Sequence, residues 1–402
     1  MARPRLLFVS HRLPYPPNKG DKIRSYHILR HLARRYDIHL ASFIDDPDDR
    51  VHLRALEPLC VAQRIEVTDR RRFAARAGGA LLRGRPLSVA ALGSAAMRRW
   101  ITGELARHRF DWVYAYSSAS AALVPPLDGP RLLVDFVDVD SEKWAALAAH
   151  HRGPRGWVYR REAERLLAFD RAQAARARWS VFVSPAEAAV FRELVPQAAA
   201  HTVAVGNGVD LEALDPSREY ENPYTPGGKV LVFAGAMDYA PNVDAVRWFA
   251  HEVWPAIRRE RADARFVIVG ARPGAGVRAL GGVPGVQVTG AVPDVRPYLA
   301  HAHAAVASLR IARGIQNKVL EALAMGLPVI ATPAAMEGLE FAADSPARAF
   351  VAADAQGLSV VALRALGAAP APAELRAEVA RRYTWDAQFA ALDELLSEAC
   401  ET

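Results

Sequence analysis

Cysteine is nearly absent from this chain. Cys60 and Cys400 are the only two in 402 residues, which excludes a disulfide framework and any zinc cluster built on thiolates. Long apolar runs are absent as well. The stretch from Leu6 to Val9, which follows a basic start, is too short for the apolar region of a signal peptide. Nothing approaches the roughly 18–20 apolar residues of a membrane span. The protein is therefore expected in the cytoplasm. Lysine is scarce, standing only at 19, 22, 143, 229 and 318, so the net charge of +7 is almost wholly arginine. An arginine-heavy composition of this kind follows genome base bias, and the global charge is no argument for nucleic acid. None is expected as a partner. The twelve histidines show no paired helical spacing around a glutamate, and His11, His27, His39, His301 and His303 look incidental. No Walker loop and no Gly-x-Ser-x-Gly elbow occurs. The glycines at 270, 274 and 276 follow a strand but are interrupted by Pro273, so they read as a turn.

What the chain does contain is alternation. Short apolar runs at 5–10, 37–44, 63–68, 111–116, 131–137, 179–183 and 201–205 read as strands. Helical stretches separate most of them. From 215 to 228 the composition shifts to Pro, Gly, Asn and Tyr, which marks a linker. Strands then resume at 230–234, 266–269, 286–289, 304–309 and 328–331, with a helix predicted at 243–259. With 51% hydrophobic residues there is material for two cores, and the pattern predicts two doubly wound α/β domains. The expected boundaries are 1–214, a linker 215–228, 229–383, and a C-terminal helix 384–402 whose Trp385, Phe389, Leu392 and Leu395 share one side and dock back onto the domains.

Ligands of such sheets bind beyond the carboxyl ends of the strands. The first loop ends Asn18-Lys19-Gly20-Asp21-Lys22, with Asp21 expected to cap a helix whose buried side carries Ile23, Tyr26, His27, Arg30, Leu32 and Ala33. Tyr116 and Ser117 end one strand, and Asp138 and Asp140 follow another. Residues 70–109, which begin on Arg70 and end on Arg109, are basic with interleaved apolar residues and read as helical. Such a stretch either lies against an anionic bilayer or is a solvated basic face over a core.

The most informative segment is RIARGIQNKVLEALAMGLPVIAT, residues 310–332. It runs from a strand through a basic loop into a helix and back into a strand. Val319, Leu320 and Leu323 recur at core spacing, while Lys318 and Glu321 share another stripe. The plain alternative is a solvated Lys–Glu pair, contributing only about 0.2–0.5 kcal/mol. The functional alternative is a helix start that neutralises a diphosphate with Arg310, Arg313, Lys318 and free amides, while Glu321 accepts from a ribose diol.

These segments carry a family resemblance. PPNKGD (16–21), GNGVD (206–210), FAGAMD (233–238) and above all GIQNKVLEALAMGLPVI (314–330) resemble the retaining nucleotide-sugar glycosyltransferases of the GT-B fold, the "glycosyl transferases group 1" class. GIQNKVLEALAMG, MDYAPNVDAV (237–246) and DFVDVDSEKW (135–144) are most similar to bacterial sugar transferases associated with exopolysaccharide and exosortase (PEP-CTERM) gene clusters. The resemblance implies two Rossmann-like domains facing across a cleft, with the acceptor on the N-terminal domain and the donor on the C-terminal one. It implies a hexosyltransferase-like enzyme in exopolysaccharide biosynthesis. Such an enzyme moves sugar with retention from a nucleotide diphosphate sugar to a saccharide or polyprenyl-linked acceptor, at or near the inner face of the membrane.

The resemblance also implies that no cofactor or metal is required. Donor contacts fall on Gly235, Arg310, Gly314, Gln316, Asn317, Lys318 and Glu321. The catalytic candidates are Asp138, Lys318 and Arg313, and Asn18, Lys19, Gly20, Asp21, Tyr116 and Ser117 lie near the donor phosphate or acceptor. The chain departs from the family where Arg313 replaces the first motif glutamate, where Tyr116 replaces a histidine, and where an Arg/Lys pair is missing after Gly235. A nucleotide-sugar epimerase and a non-catalytic sugar-nucleotide scaffold are the competing expectations.

Overall fold

The structure is a computed structural model that describes residues 3–17, 20–68, 76, 78–81, 83–90, 92–151, 153–311, 315–342, 344–368 and 371–397. The chain divides into two compact units, Met1–Gly206 with Phe389–Thr402, and Asn207–Gln388. Each is built on one parallel sheet.

In the first unit the strands are β1 (Arg5–Ser10), β2 (Asp37–Ile44), β3 (Ala62–Val67), β4 (Trp112–Tyr116), β5 (Arg131–Val137), β6 (Trp179–Phe182) and β7 (Thr202–Ala204). They are ordered β3-β2-β1-β4-β5-β6-β7. In the second unit β8 (Val230–Ala234), β9 (Arg265–Val269), β10 (Val286–Gly290), β11 (Ala304–Ala307) and β12 (Val329–Ala331) are ordered β10-β9-β8-β11-β12. The central strands are almost continuously buried, as strands covered by helices on both faces must be. The order reverses between β1 and β4 and again between β8 and β11. Those reversals are the switch points at which such sheets open a crevice.

The helix after β1 spans Gly20–Leu32, so Asp21 lies inside its first turn and does not cap it. Its buried side is only partly the one expected, since His27 and Leu32 are buried but Ile23, Tyr26, Arg30 and Ala33 are only half-buried. Lys22, Arg24, Ser25, His27, Ile28, Leu29 and Leu32 face inward, because two buried carboxylates wait for the two cations. Lys22 Nζ meets Asp49 Oδ2 at 2.5 Å. Arg24, 1% exposed, lies 3.0 Å from the fully buried Asp135 of β5 and donates to the Gly206 carbonyl at 3.2 Å. The Tyr114 hydroxyl donates to the same Asp135 oxygen at 2.7 Å.

Residues 70–109 do not form the continuous helix expected. Residues 70–75, 77, 82 and 91 lie outside the described residues; the rest includes separate helices at Leu87–Ala90 and Ala95–Arg107. Gly84, at φ 68°, turns the chain between helical segments. Met97 and Ile101 are buried in the first unit's core, with Leu92, Trp100 and Leu105 packed against it. The interleaved apolar residues therefore cover the sheet, while Arg98, Arg99, Arg107 and Arg109 are exposed.

In the second unit the helix begins at Ala240, earlier than expected, because Pro241 suits a first helical turn, where its missing N–H costs nothing. A single π-turn, Phe249–Val253, interrupts this helix before it continues as Trp254–Glu260, next to Pro255, which cannot donate to the turn before it. The C-terminal helix Trp385–Ser397 places Phe389, Leu392 and Leu396 in the first unit's core. There Trp112 Nε1 donates to the Leu396 carbonyl at 3.3 Å, and Asp393 lies 3.0 Å from His31 and 2.8 Å from Arg35. Among the described residues no single helix is long and apolar enough to cross a membrane.

Asp135→Ala strands a buried guanidinium, and removal of one partner of such a pair costs about 3–5 kcal/mol. Urea unfolding followed by Trp fluorescence is expected to show that loss in the transition of the first unit. A loss below about 1 kcal/mol would mean that water reaches Arg24.

Candidate active site

At the second unit's switch point, β8 ends at Ala234 and is followed by Gly235, while the strand β11 leads to Arg310 and the helix Asn317–Ala324. That helix packs Val319, Leu320, Ala322, Leu323 and Ala324 into the core. The other stripe, Lys318 and Glu321, is left half-buried beside the end of β8. Lys318 lies with its amine 4.4 Å from the centre of the Phe233 ring, a cation–π contact. It donates to Asn242 Oδ1, and Asn242 in turn donates through Nδ2 to the Ala236 carbonyl at 2.9 Å.

Gly235 makes this arrangement sterically possible. A methyl group there would stand 2.7 Å from Asn242 Nδ2 and 3.2 Å from Lys318 Nζ. Gly270, at the end of β9, is equally constrained, since a Cβ would fall 1.7 Å from the Gly235 carbonyl oxygen. The two strand ends therefore meet backbone to backbone.

Burial lowers the Lys318 amine from 10.5 to about 8, and the nearby Glu321 carboxylate only partly offsets it. Burial raises the Glu321 carboxyl, with Lys318 opposing the shift. Among the described residues the Glu321 carboxylate accepts no hydrogen bond, and Asn317 Oδ1 is a buried acceptor without a partner. Among the described residues the helix start thus presents an under-neutralised cation, a carboxylate without a hydrogen bond and an orphaned amide oxygen together. Gln316, half-buried, immediately precedes this helix.

Arg310 is placed differently. Its guanidinium forms a two-pronged pair with Asp244 and lies 5.4 Å from the Trp248 ring centre, so it is engaged by the Ala240–Trp248 helix. Arg313 and Gly314 lie outside the described residues. Asn242 went unselected from sequence, although it sits within the MDYAPNVDAV segment. Its role required knowing that Lys318 folds back across Gly235. Arg272, in the stretch expected to be only a turn, pairs with Asp238 at 2.5 Å and so brings a cation next to the residues after Gly235.

The first unit's switch point gathers a second polar group. Tyr116 is buried, and its hydroxyl donates to the Asp21 carbonyl at 2.9 Å. Burial and the Asp135 charge push its phenol well above 10.0, so it stays protonated. His11 stacks on Tyr116 at 5.7 Å and lies 3.5 Å from Asp21 Oδ2. Arg12 pairs with Asp21 and, at 2.7 Å, with Asp45. Burial would raise the Asp21 carboxyl, but His11 and Arg12 outweigh it and hold it well below the usual range.

Ser117 at φ 83° and Val137 at φ 70° are held in the left-handed region, which for a β-branched valine is a real strain. Val137 also breaks the β5–β6 register immediately before Asp138. Asp138 and Asp140 share Lys143 at 2.7 and 2.9 Å. Despite burial, the two carboxylates raise the Lys143 amine. Gly20 opens the first helix, and among the described residues nothing lies within 4 Å of where a Cβ would stand on it, whereas Asn18 and Lys19 lie outside the described residues. His11, Arg12 and Lys143 went unselected from sequence, since nothing in their spacing links them to Asp21 or Asp138.

Comparison with known proteins adds family context. The family model described as "Glycosyl transferases group 1" matches residues 228–369, the part of the chain that contains Gly235, Asn242, Lys318 and Glu321. No curated protein matches the sequence significantly. Among solved structures, the fold is similar to that of Anabaena HepE in complex with UDP, at TM-score 0.64, with 14% identity over 98% of this chain and 100% of that one. A glycosyltransferase from Rickettsia africae is similar at TM-score 0.65, with 13% identity over all of both chains. The catalytic domain of starch synthase IV from Arabidopsis thaliana, bound to ADP and acarbose, is similar at TM-score 0.65, with 11% identity over 99% of each chain. The fold is accordingly the two-sheet parallel α/β architecture of GT-B glycosyltransferases.

A lysine held below its unfolded pKa destabilises the charged form. The contribution of Lys318 to folding is therefore least favourable below about pH 8, and it improves as pH rises from 8 to 10.5. With only five lysines in the chain, acylation followed by peptide mass spectrometry can resolve each amine. Lys318 is expected to reach half-maximal reactivity near pH 8. A midpoint at the ordinary value for lysine would refute its desolvation.

Proposed function

We propose that this chain is a glycosyltransferase that takes a nucleotide diphosphate sugar on its second unit and transfers the sugar to a saccharide or polyprenyl-linked acceptor. The observation that carries the proposal is the helix start at Asn317–Glu321. A half-buried cation held by a neutral amide stands beside a carboxylate that accepts no hydrogen bond among the described residues. A diphosphate supplies the charge that Lys318 lacks, and a ribose diol supplies the two donors that Glu321 can accept. The family match over residues 228–369 and the UDP, UDP-glucose and ADP complexes of the similar folds support that reading.

In this proposal the chemistry is departure of the diphosphate, with Lys318 and the free amides of the helix start stabilising charge as it develops. Arg313 adds to that charge, Arg310 does so on leaving Asp244, and Gly314, Gln316 and Asn317 line the donor. Tyr116 stays protonated and serves as a positioning group in the acceptor unit, where Asp138, Ser117, Gly20 and Asp21 would meet the acceptor. Retention follows if attack occurs on the face the diphosphate leaves, with catalysis by positioning and not by a protein nucleophile. Exopolysaccharide assembly is the setting proposed from GIQNKVLEALAMG and its companion segments. The exposed arginines at 98, 99, 107 and 109 would provide an electrostatic contact with an anionic membrane surface.

Incubating the chain with labelled UDP-, GDP- and ADP-sugars and an extract of lipid-linked and free saccharides is expected to yield a labelled acceptor from one donor class. With acceptor in anionic vesicles, the rate should fall as salt rises. Interconversion of the free donor without transfer would instead support an epimerase, and tight binding without turnover a scaffold. Glu321→Ala is expected to weaken donor binding by roughly tenfold or more, as loss of a charge-assisted hydrogen bond worth about 1.5–3 kcal/mol implies. An unchanged calorimetric Kd would remove Glu321 from the ribose.

A further inference from the structure

Three side chains, His39 and the pair Glu104 and His108 some sixty-five residues further on, converge at the opposite end of the first unit's strands. His39 is the third residue of β2, and its neighbours on the same face, Ala41 and Phe43, belong to the core that Met97 and Ile101 cover. The same inward stripe of the Ala95–Arg107 helix continues to Glu104, and His108 follows four residues later at the helix end. Glu104 Oε2 lies 2.5 Å from His39 Nδ1 and 3.8 Å from His108 Nε2. One ligand atom from each of the three residues lies within 4.8 Å of the other two.

We propose that His39, Glu104 and His108 form a structural binding site for a divalent transition-metal ion of the zinc class. A tetrahedral ion with bonds of about 2.1 Å separates its ligand atoms by about 3.4 Å, so the observed 2.5 and 3.8 Å need only small side-chain adjustments. The surroundings hold the donors in place. Arg107 Nη1 donates to the other Glu104 oxygen at 2.9 Å and fixes the carboxylate, whose Oε2 would exchange its hydrogen bond with His39 Nδ1 for the ion. Phe110 stands edge-on to both imidazoles, at 4.9 Å and 81° to His39 and at 6.4 Å and 84° to His108.

His39 and Glu104 are buried, whereas the His108 side chain remains 36% exposed. The ion therefore has an entry path, and a water can take the fourth position. Two imidazoles and one carboxylate suit zinc better than the oxygen-seeking magnesium or calcium. The strand ends that carry Tyr116 and Asp138 lie at the other edge of the sheet, which makes the site a clamp between helix and strand and not part of the transfer chemistry.

The test uses the full chain, tag-free and stripped with a strong chelator. Calorimetric titration with Zn2+ and absorption titration with Co2+ are expected to show one equivalent bound per chain, with a higher Tm in the loaded protein. His108→Ala, at an exposed helix end where folding tolerates the change, is expected to lower affinity by about tenfold or more and to abolish the Tm increment. Failure of the wild-type chain to take up metal saturably would overturn the site. So would uptake by His108→Ala equal to wild type.

Discussion

The first unit is organised around a guanidinium that has been taken wholly out of water. Arg24 is held by Asp135, which also takes the Tyr114 hydroxyl, and it reaches the carbonyl of Gly206, the last residue of that unit before the chain passes to the second. A buried charge is tolerated only with good geometry and satisfied hydrogen-bonding groups, so this one network dictates where the first helix sits against β5. The position of that helix then determines where Asp21 meets His11, Arg12 and Tyr116. The local geometry of the candidate acceptor loops follows from a pair buried in the core of the unit.

The second unit solves a related problem in the opposite sense. Lys318 is also withdrawn from water, but its nearest partners are an amide oxygen and an aromatic face. Neither cancels its charge. A cation left under-neutralised beside a helix start attracts anions, and this distinguishes Lys318 from Arg24, whose charge is already answered. The same contrast separates Lys318 from Arg310, which Asp244 occupies. Positive charge alone is therefore a poor guide to a phosphate site; what matters is how fully the fold answers each cation, and Glu321 answers Lys318 only in part.

Much of the architecture was legible because parallel strands buried on both faces read as unbroken apolar runs. β1, β2, β5 and β8 stand where the runs at 5–10, 37–44, 131–137 and 230–234 placed them. The misreadings share a cause. Helical periodicity identified Ile23, Tyr26 and Arg30 as inward-facing, but the inward side was chosen by carboxylates at 49 and 135. Residues 70–109 looked like one basic helix because glycines and short turns are weak interruptions in an arginine-rich stretch. Pro241 looked like a loop residue, though a proline is as much at home in a first helical turn.

Lys318 and Glu321 were legible as a pair because residues three apart on a helix share a stripe, and the core spacing of Val319, Leu320 and Leu323 said which stripe was left over. That much follows from the helical period alone. Asn242 as the partner of Lys318, Gly235 as the gap they share, Asp244 as the residue that occupies Arg310, and the meeting of His39 with Glu104 and His108 were decided by tertiary structure. A period relates only residues within one element. Contacts such as that between His39 and Glu104, 65 residues apart, exist only once the strand order has set which elements lie side by side.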